Sequence, residues 1–108
     1  MFVCQFIFKE YMKTREEYLD DIRCFKRSSA DKFGIKSIGI FGSVARNEHH
    51  TGSDLDVFVE LKDPDPYIMF DIQDSLEKVC GCKVDLLRLR KNLRSLLLKR
   101  IEQDGIYT

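Results

Sequence analysis

Two aspartates one residue apart, Asp54 and Asp56, are the side chains of this 108-residue chain best placed to do chemistry. In an extended segment, positions two apart project to the same side, so both carboxylates leave one face at the start of a β-run. Like charges at that spacing are costly unless one is protonated or a cation lies between them. A divalent ion removes the conflict, and magnesium is commonly held by one or two carboxylates together with substrate phosphates. Taken alone, Asp-x-Asp reads first as two solvated acids at a strand edge.

Upstream, with ten residues between, Gly42-Ser43 changes that reading. It follows a β-rich run and opens a short helix, a geometry that presents free backbone N–H groups to an anion. Gly42 lets the backbone approach a phosphate and the Ser43 hydroxyl can donate to it. Arg46 could stabilise phosphate charge or serve equally as a surface or partner contact. Asp85 lies in an otherwise apolar run, Val84-Asp-Leu-Leu, where an unpartnered carboxylate is costly. If that run lies beside residues 55–61, Asp85 joins Asp54 and Asp56 in a triad able to hold the ions that clamp a phosphoryl group during in-line displacement. The bland alternative for Asp85 is a strand-end residue reaching solvent.

Several elements must position these groups. Thr14 and Glu17 form a capping box at the start of a helix running to Phe33, with Tyr18, Leu19, Ile22, Phe25, Ala30 and Phe33 as its apolar stripe. Ile35 to Phe41 reads as a strand, Ser43 to Asn47 as one or two helical turns, and 48–53 as a polar loop carrying His49 and His50, read as solvated. Leu55 to Leu61 is apolar at nearly every position, which predicts a strand covered on both faces. Asp65 and Pro66 start a helix carrying Met69, Phe70, Leu76 and Val79 and ending at Gly81, and the aromatic residues spread through the helices read as core. Lys83 to Leu89 is a third strand. Asn92 to Asp104 is a last helix with Leu93, Leu96, Leu97 and Ile101 inward, and Ile106-Tyr107 adds a short strand. The alternation indicates a small sheet covered by helices.

One core fits in this length and two do not. Hydrophobic residues make up 44% of the chain and charged ones 33%, as in globular proteins. Eighteen basic residues balance eighteen acidic ones, so net charge does not steer the chain toward nucleic acid, and direct nucleic-acid binding is not expected. No run approaches the roughly 20 apolar residues of a membrane span. Cys4, Cys24, Cys80 and Cys82 follow no zinc or disulfide spacing and read as buried or turn thiols of a reducing cytoplasm. Residues 1–11 form an apolar extension ahead of a domain spanning 12–108: a mis-assigned start with Met12 the true one, or a short extra strand or oligomer contact. The basic stretch Arg88, Arg90, Lys91, Arg94, Lys99 and Arg100 reads mainly as a solvated helix face, with an acidic partner surface, a phosphate or RNA bound to a toxin as the alternatives.

Gly42-Ser43-x10-Asp54-x-Asp56, with Val44-Ala45-Arg46 after the serine, Ser53 before the first aspartate and Lys83-Val84-Asp85 downstream, resembles the signature of the DNA polymerase β-like nucleotidyltransferase superfamily. Within it the chain is most similar to the minimal nucleotidyltransferase (MNT) family, the antitoxins of HEPN–MNT toxin–antitoxin pairs. The resemblance implies an α+β nucleotidyltransferase fold, a small mixed sheet flanked by helices, with ATP and Mg2+ as ligands. It implies adenylyl transfer to a tyrosine of a HEPN toxin. Gly42 and Ser43 would hold the triphosphate, and Asp54 and Asp56 would bind metal. Asp85 would complete the metal site or help deprotonate the incoming hydroxyl. Asn47 departs from the family, which has glycine there; asparagine tolerates the left-handed backbone a tight turn needs.

Two further readings compete. A module that neutralises its toxin by contact alone would not need three acids and a Gly-Ser turn. A small-molecule nucleotidyltransferase of the antibiotic-modifying kind would need an acceptor domain for which the chain has no room.

Overall fold

The computed structural model describes residues 13–50, 52–90 and 95–108, with the side chains of residues 96 and 97 left out of the description. The extension 1–11, Met12, Leu93 and the start expected for the last helix at Asn92 lie outside the described residues. The elements run α1 (Arg15–Phe33), β1 (Ile35–Phe41), α2 (Gly42–Ala45), β2 (Leu55–Leu61), α3 (Pro66–Cys80), β3 (Val84–Arg88), α4 (Ser95–Asp104) and β4 (Ile106–Tyr107). The four described strands form one mixed sheet in the order β3-β2-β1-β4. β1 is antiparallel to β2 and to β4, while β2 and β3 are parallel and joined by the α3 crossover.

Helix α1 begins as its capping box dictates. The Glu17 amide donates to Thr14 Oγ1 at 3.1 Å, and the Thr14 amide donates to Glu17 Oε1 at 2.9 Å. Asp65 caps α3 by accepting from the Tyr67 amide at 2.8 Å, with Pro66 in the first turn where its missing N–H costs nothing.

α1 and α3 pack on one sheet face through Leu19, Ile22, Phe25, Ile72 and Leu76, which meet Ile38, Ile40, Leu55, Val57 and Val59. The stripe expected on α1 is the one observed, with Ala30 only partly buried. On α3 the four apolar residues noted from sequence divide. Leu76 is buried and Met69 packs at the core's edge, but Phe70 is 68% exposed and Val79 also faces outward. The buried row is Ile72, Leu76 and Cys80, and Phe70, two residues before Ile72, lies about 200° around the helix from it.

Among the described residues the opposite sheet face is covered less completely. Phe41, Phe58 and Ile101 of α4 form a second small core, edged by Leu87 and Leu89. β2 is therefore fully buried on one face only, with Asp56 and Glu60 half-buried on the other. Gly39 pairs with both Phe58 and Tyr107, and a side chain there would collide with the Phe58 ring. Its absence lets Phe58 reach across to Tyr107, edge to face with centroids 4.9 Å apart.

Candidate active site

The half-covered face carries the acids. In the parallel β2/β3 ladder Asp56 stands opposite Asp85, so both side chains leave the same face of adjacent strands. β3 is an edge strand, and α3 fixes its start: the Val84 amide donates to Glu77 Oε2 at 3.1 Å and Gln73 Nε2 donates to the Val84 carbonyl at 2.9 Å. The residue presenting Asp85 is thereby held from both sides of its peptide. Asp54 precedes the first residue of β2 and is exposed.

On the other flank, β1 delivers the Gly-Ser turn to Asp56. Phe41 is the register partner of Asp56, and Gly42 follows at φ 75°. A Cβ at Gly42 would strike the Asp56 carboxylate, so glycine is required both by backbone conformation and by the closeness of the acid. α2 is a single turn starting at Gly42, and no side chain caps its first amides, which leaves donors for an anion. Arg15 Nη1 donates to the Ala45 carbonyl at 3.0 Å, tying the end of that turn to α1. Asn47 adopts φ 61°, the only non-glycine residue at positive φ among those described, so the turn survives the departure from glycine.

These parts border one cleft of about 400 Å³, whose polar wall comprises Gly42, Ser43, Arg46, Asp56, Asp85 and Arg100. Burial, followed by the charges of Asp85 and Asp54, pushes the Asp56 carboxyl up to about 6, while Arg46 and Arg100 pull the other way. Asp54 thus acts on Asp56 through its field without lining the cleft. Among the described residues no three Asp, Glu, His or Cys side chains stand close enough to enclose an ion. The pair Asp56–Asp85, with Asp54 at its rim, matches magnesium's habit of taking one or two carboxylates and completing its shell with phosphate and water. Two crowded acids, one of them resisting ionisation, are the donor set a hard dication relieves.

Arg46 borders the cleft but is already engaged: Nε donates to Glu48 Oε1 at 2.9 Å and Nη1 to Asp104 Oδ2 at 3.0 Å. His49, expected to be solvated, is half-buried. Its Nε2 lies 2.7 Å from the Lys13 carbonyl and its ring sits edge-on to Tyr18, away from the cleft. His50 is exposed as expected. Cys80 is buried and Cys82 half-buried, as turn thiols would be, but Cys24 is exposed on α1. Arg100, read from sequence mainly as part of a solvated helix face with a phosphate contact as one alternative, borders the cleft. Nothing local marks it; only the folding of α4 over the sheet brings it to the acids.

The profile of the family described as "Polymerase beta, Nucleotidyltransferase" matches residues 25–107. A Methanocaldococcus jannaschii protein named "Putative protein adenylyltransferase" is 40% identical over 97 residues, covering 89% of this chain and 99% of its own. The protein adenylyltransferase MntA of Thermococcus cleftensis is 30% identical over 97 residues, covering 89% of this chain and 97% of its own. Among solved structures, one described as a "putative minimal nucleotidyltransferase" superposes with a TM-score of 0.71 at 26% identity, over 87% of this chain and 95% of that one. A toxin–antitoxin structure with AMP-PNP shares the fold at a TM-score of 0.67 and 22% identity, over 82% of this chain and 69% of that one.

Proposed function

The chain belongs to the polymerase beta nucleotidyltransferase family, and from that premise we propose that it is a protein adenylyltransferase, the antitoxin of a toxin–antitoxin pair, moving AMP from ATP to a tyrosine of a HEPN toxin. The carrying observation is the convergence of Asp56, Asp85 and the Gly42-Ser43 turn on one cleft. It occurs in a chain spanning nearly the full length of relatives named for that activity.

Each residue then has a task. The uncapped amides of α2, with the Ser43 hydroxyl, receive the triphosphate, and Gly42 keeps the backbone close to Asp56. Asp56 and Asp85, with Asp54 beside them, hold magnesium, and Arg46 borders the phosphates. When bound, magnesium supplies charge neutralisation at the phosphoryl oxygens. A tyrosine hydroxyl has a free pKa near 10, so it needs a base as it attacks. Asp85, exposed at the cleft mouth, is placed to accept that proton while the new P–O bond forms and the bond to pyrophosphate breaks. No helix of the described residues is long and apolar enough to cross a membrane; the reaction needs ATP, and we place it in the cytoplasm.

Incubation with labelled ATP, magnesium and the cognate HEPN protein should label that protein. The double variant Asp54→Asn with Asp56→Asn should abolish labelling. If that variant still protects cells fully without modifying the toxin, neutralisation by contact alone is the function. Label passing to a small molecule and not to the toxin would point to the antibiotic-type activity.

A further inference from the structure

Resting on the nucleotide-binding reading above, we propose that Arg100 is the triphosphate-binding cation of the cleft and that the Arg46–Asp104 ion pair is the device that holds it there. Two arginines line the cleft, and their states differ. Arg46 is bonded to two carboxylates, Glu48 and Asp104, so one positive charge already faces two negative ones. Arg100 has no carboxylate within ion-pair distance among the described residues, while its charge acts on Asp56. A triphosphate is strongly anionic and must settle beside Asp56 and Asp85. Magnesium compensates the carboxylates and part of the phosphate charge. The remainder falls to Arg100, whose guanidinium pairs with no carboxylate among the described residues, and a guanidinium can take phosphate oxygens bidentately.

The geometry also explains Arg46. Arg100 and Asp104 are four residues apart on α4 and share one helix face. One lines the cleft, and the other anchors to Arg46 at the end of the phosphate turn. The ion pair thus docks α4 against α2 with Arg100 directed at the acids. Arg46 and Asp104 are positioning residues; Arg100 touches the ligand.

The test is calorimetric titration of the purified full chain with ATP and with AMP, magnesium present. Arg100→Gln should weaken ATP by about tenfold to a hundredfold, the range for one charge-assisted contact, and leave AMP within about twofold of wild type. Arg100→Lys should recover part of the loss. Asp104→Asn should weaken ATP several-fold and Asp104→Glu should restore it, whereas adding Asp104→Asn to Arg100→Gln should cost nothing further, because both act through one contact. Thermal melts identify variants that are merely unfolded, and the ratio of ATP to AMP affinity is insensitive to a lost folded fraction. If wild type binds ATP and Arg100→Gln binds it equally well, or loses ATP and AMP in parallel, the proposal is wrong and the nucleotidyltransferase reading stands. If wild type binds neither nucleotide, both fail.

Discussion

The sheet face under α1 and α3 and the face under α4 are made of the same strands yet bury opposite things. On the first, alternate residues of β1 and β2 meet two long helices in a continuous apolar core. On the second, the intervening residues of the same strands are Phe41, Asp56 and Phe58, and among the described side chains those of α4 cover only part of them. The period of two along each strand is what allows this division: Val57 stabilises the fold while Asp56, one residue away and held among other acids, costs it stability. Stability and function are thus separated across a single sheet, and substitutions should fall on one side or the other.

The largest effect on stability belongs to the helix-covered face. Leu76 of α3 is fully buried there, and Leu76→Ala should cost about 2–5 kcal/mol, measured by denaturant melts. The ATP affinity of the fraction that remains folded should change by less than about twofold. A large loss of affinity at temperatures where the variant is folded would mean that the two faces are coupled.

Asp56→Asn should do the reverse. Toxin labelling should fall by about a hundredfold or more, the scale seen when one preorganised charge-stabilising group is removed. Stability without metal should rise. A pKa of about 6 means that the folded protein holds this proton more tightly than the unfolded chain, whose aspartates titrate near 3.9. Stability is therefore fully present below about pH 4, declines as Asp56 ionises toward pH 6, and stays reduced above it. Asparagine escapes that decline. In a chelator, the variant's melting advantage should be absent at pH 4 and reach a plateau above pH 6, with a size of about 1 kcal/mol or less because Asp56 is only half-buried. An advantage equal at both pH values would show that ionising a half-buried carboxylate beside other acids is not its cause.

The same division decides what could be read from sequence. α1 and the strands were legible because each rests on a local rule: a capping box, a 3.6-residue stripe, apolar runs too short for helices. That Asp85 stands beside Asp56 followed only if β3 pairs with β2, and no local rule decides which strands pair. Phe70 was misplaced because its hydrophobicity says nothing about helical phase, which only Ile72, Leu76 and Cys80 set together. His49 depends on a partner 36 residues away, the Lys13 carbonyl, and Arg46 on Asp104, 58 residues away. Arg100 looked like any exposed cation on an amphipathic helix. Local patterns show which residues a site needs; the side chains that close it come from wherever the fold passes overhead.

The smallest effect concerns Asn47, where the chain departs from the family pattern just after the Gly42-Ser43 turn. Its φ of 61° is left-handed, its amide donates to the Val44 carbonyl at 3.0 Å, and its side chain is exposed. Glycine reaches this conformation without a Cβ penalty but brings a more flexible unfolded chain, and the two effects nearly cancel. Asn47→Gly should therefore shift stability by no more than about 0.5 kcal/mol and leave ATP affinity unchanged. Asn47→Ala retains the Cβ and loses the short polar group that eases this backbone, at a cost of about 1 kcal/mol. If alanine proves as stable as asparagine, the backbone here has left the left-handed region, and the turn that sets Gly42 and Ser43 against Asp56 is shaped by something other than its own residues.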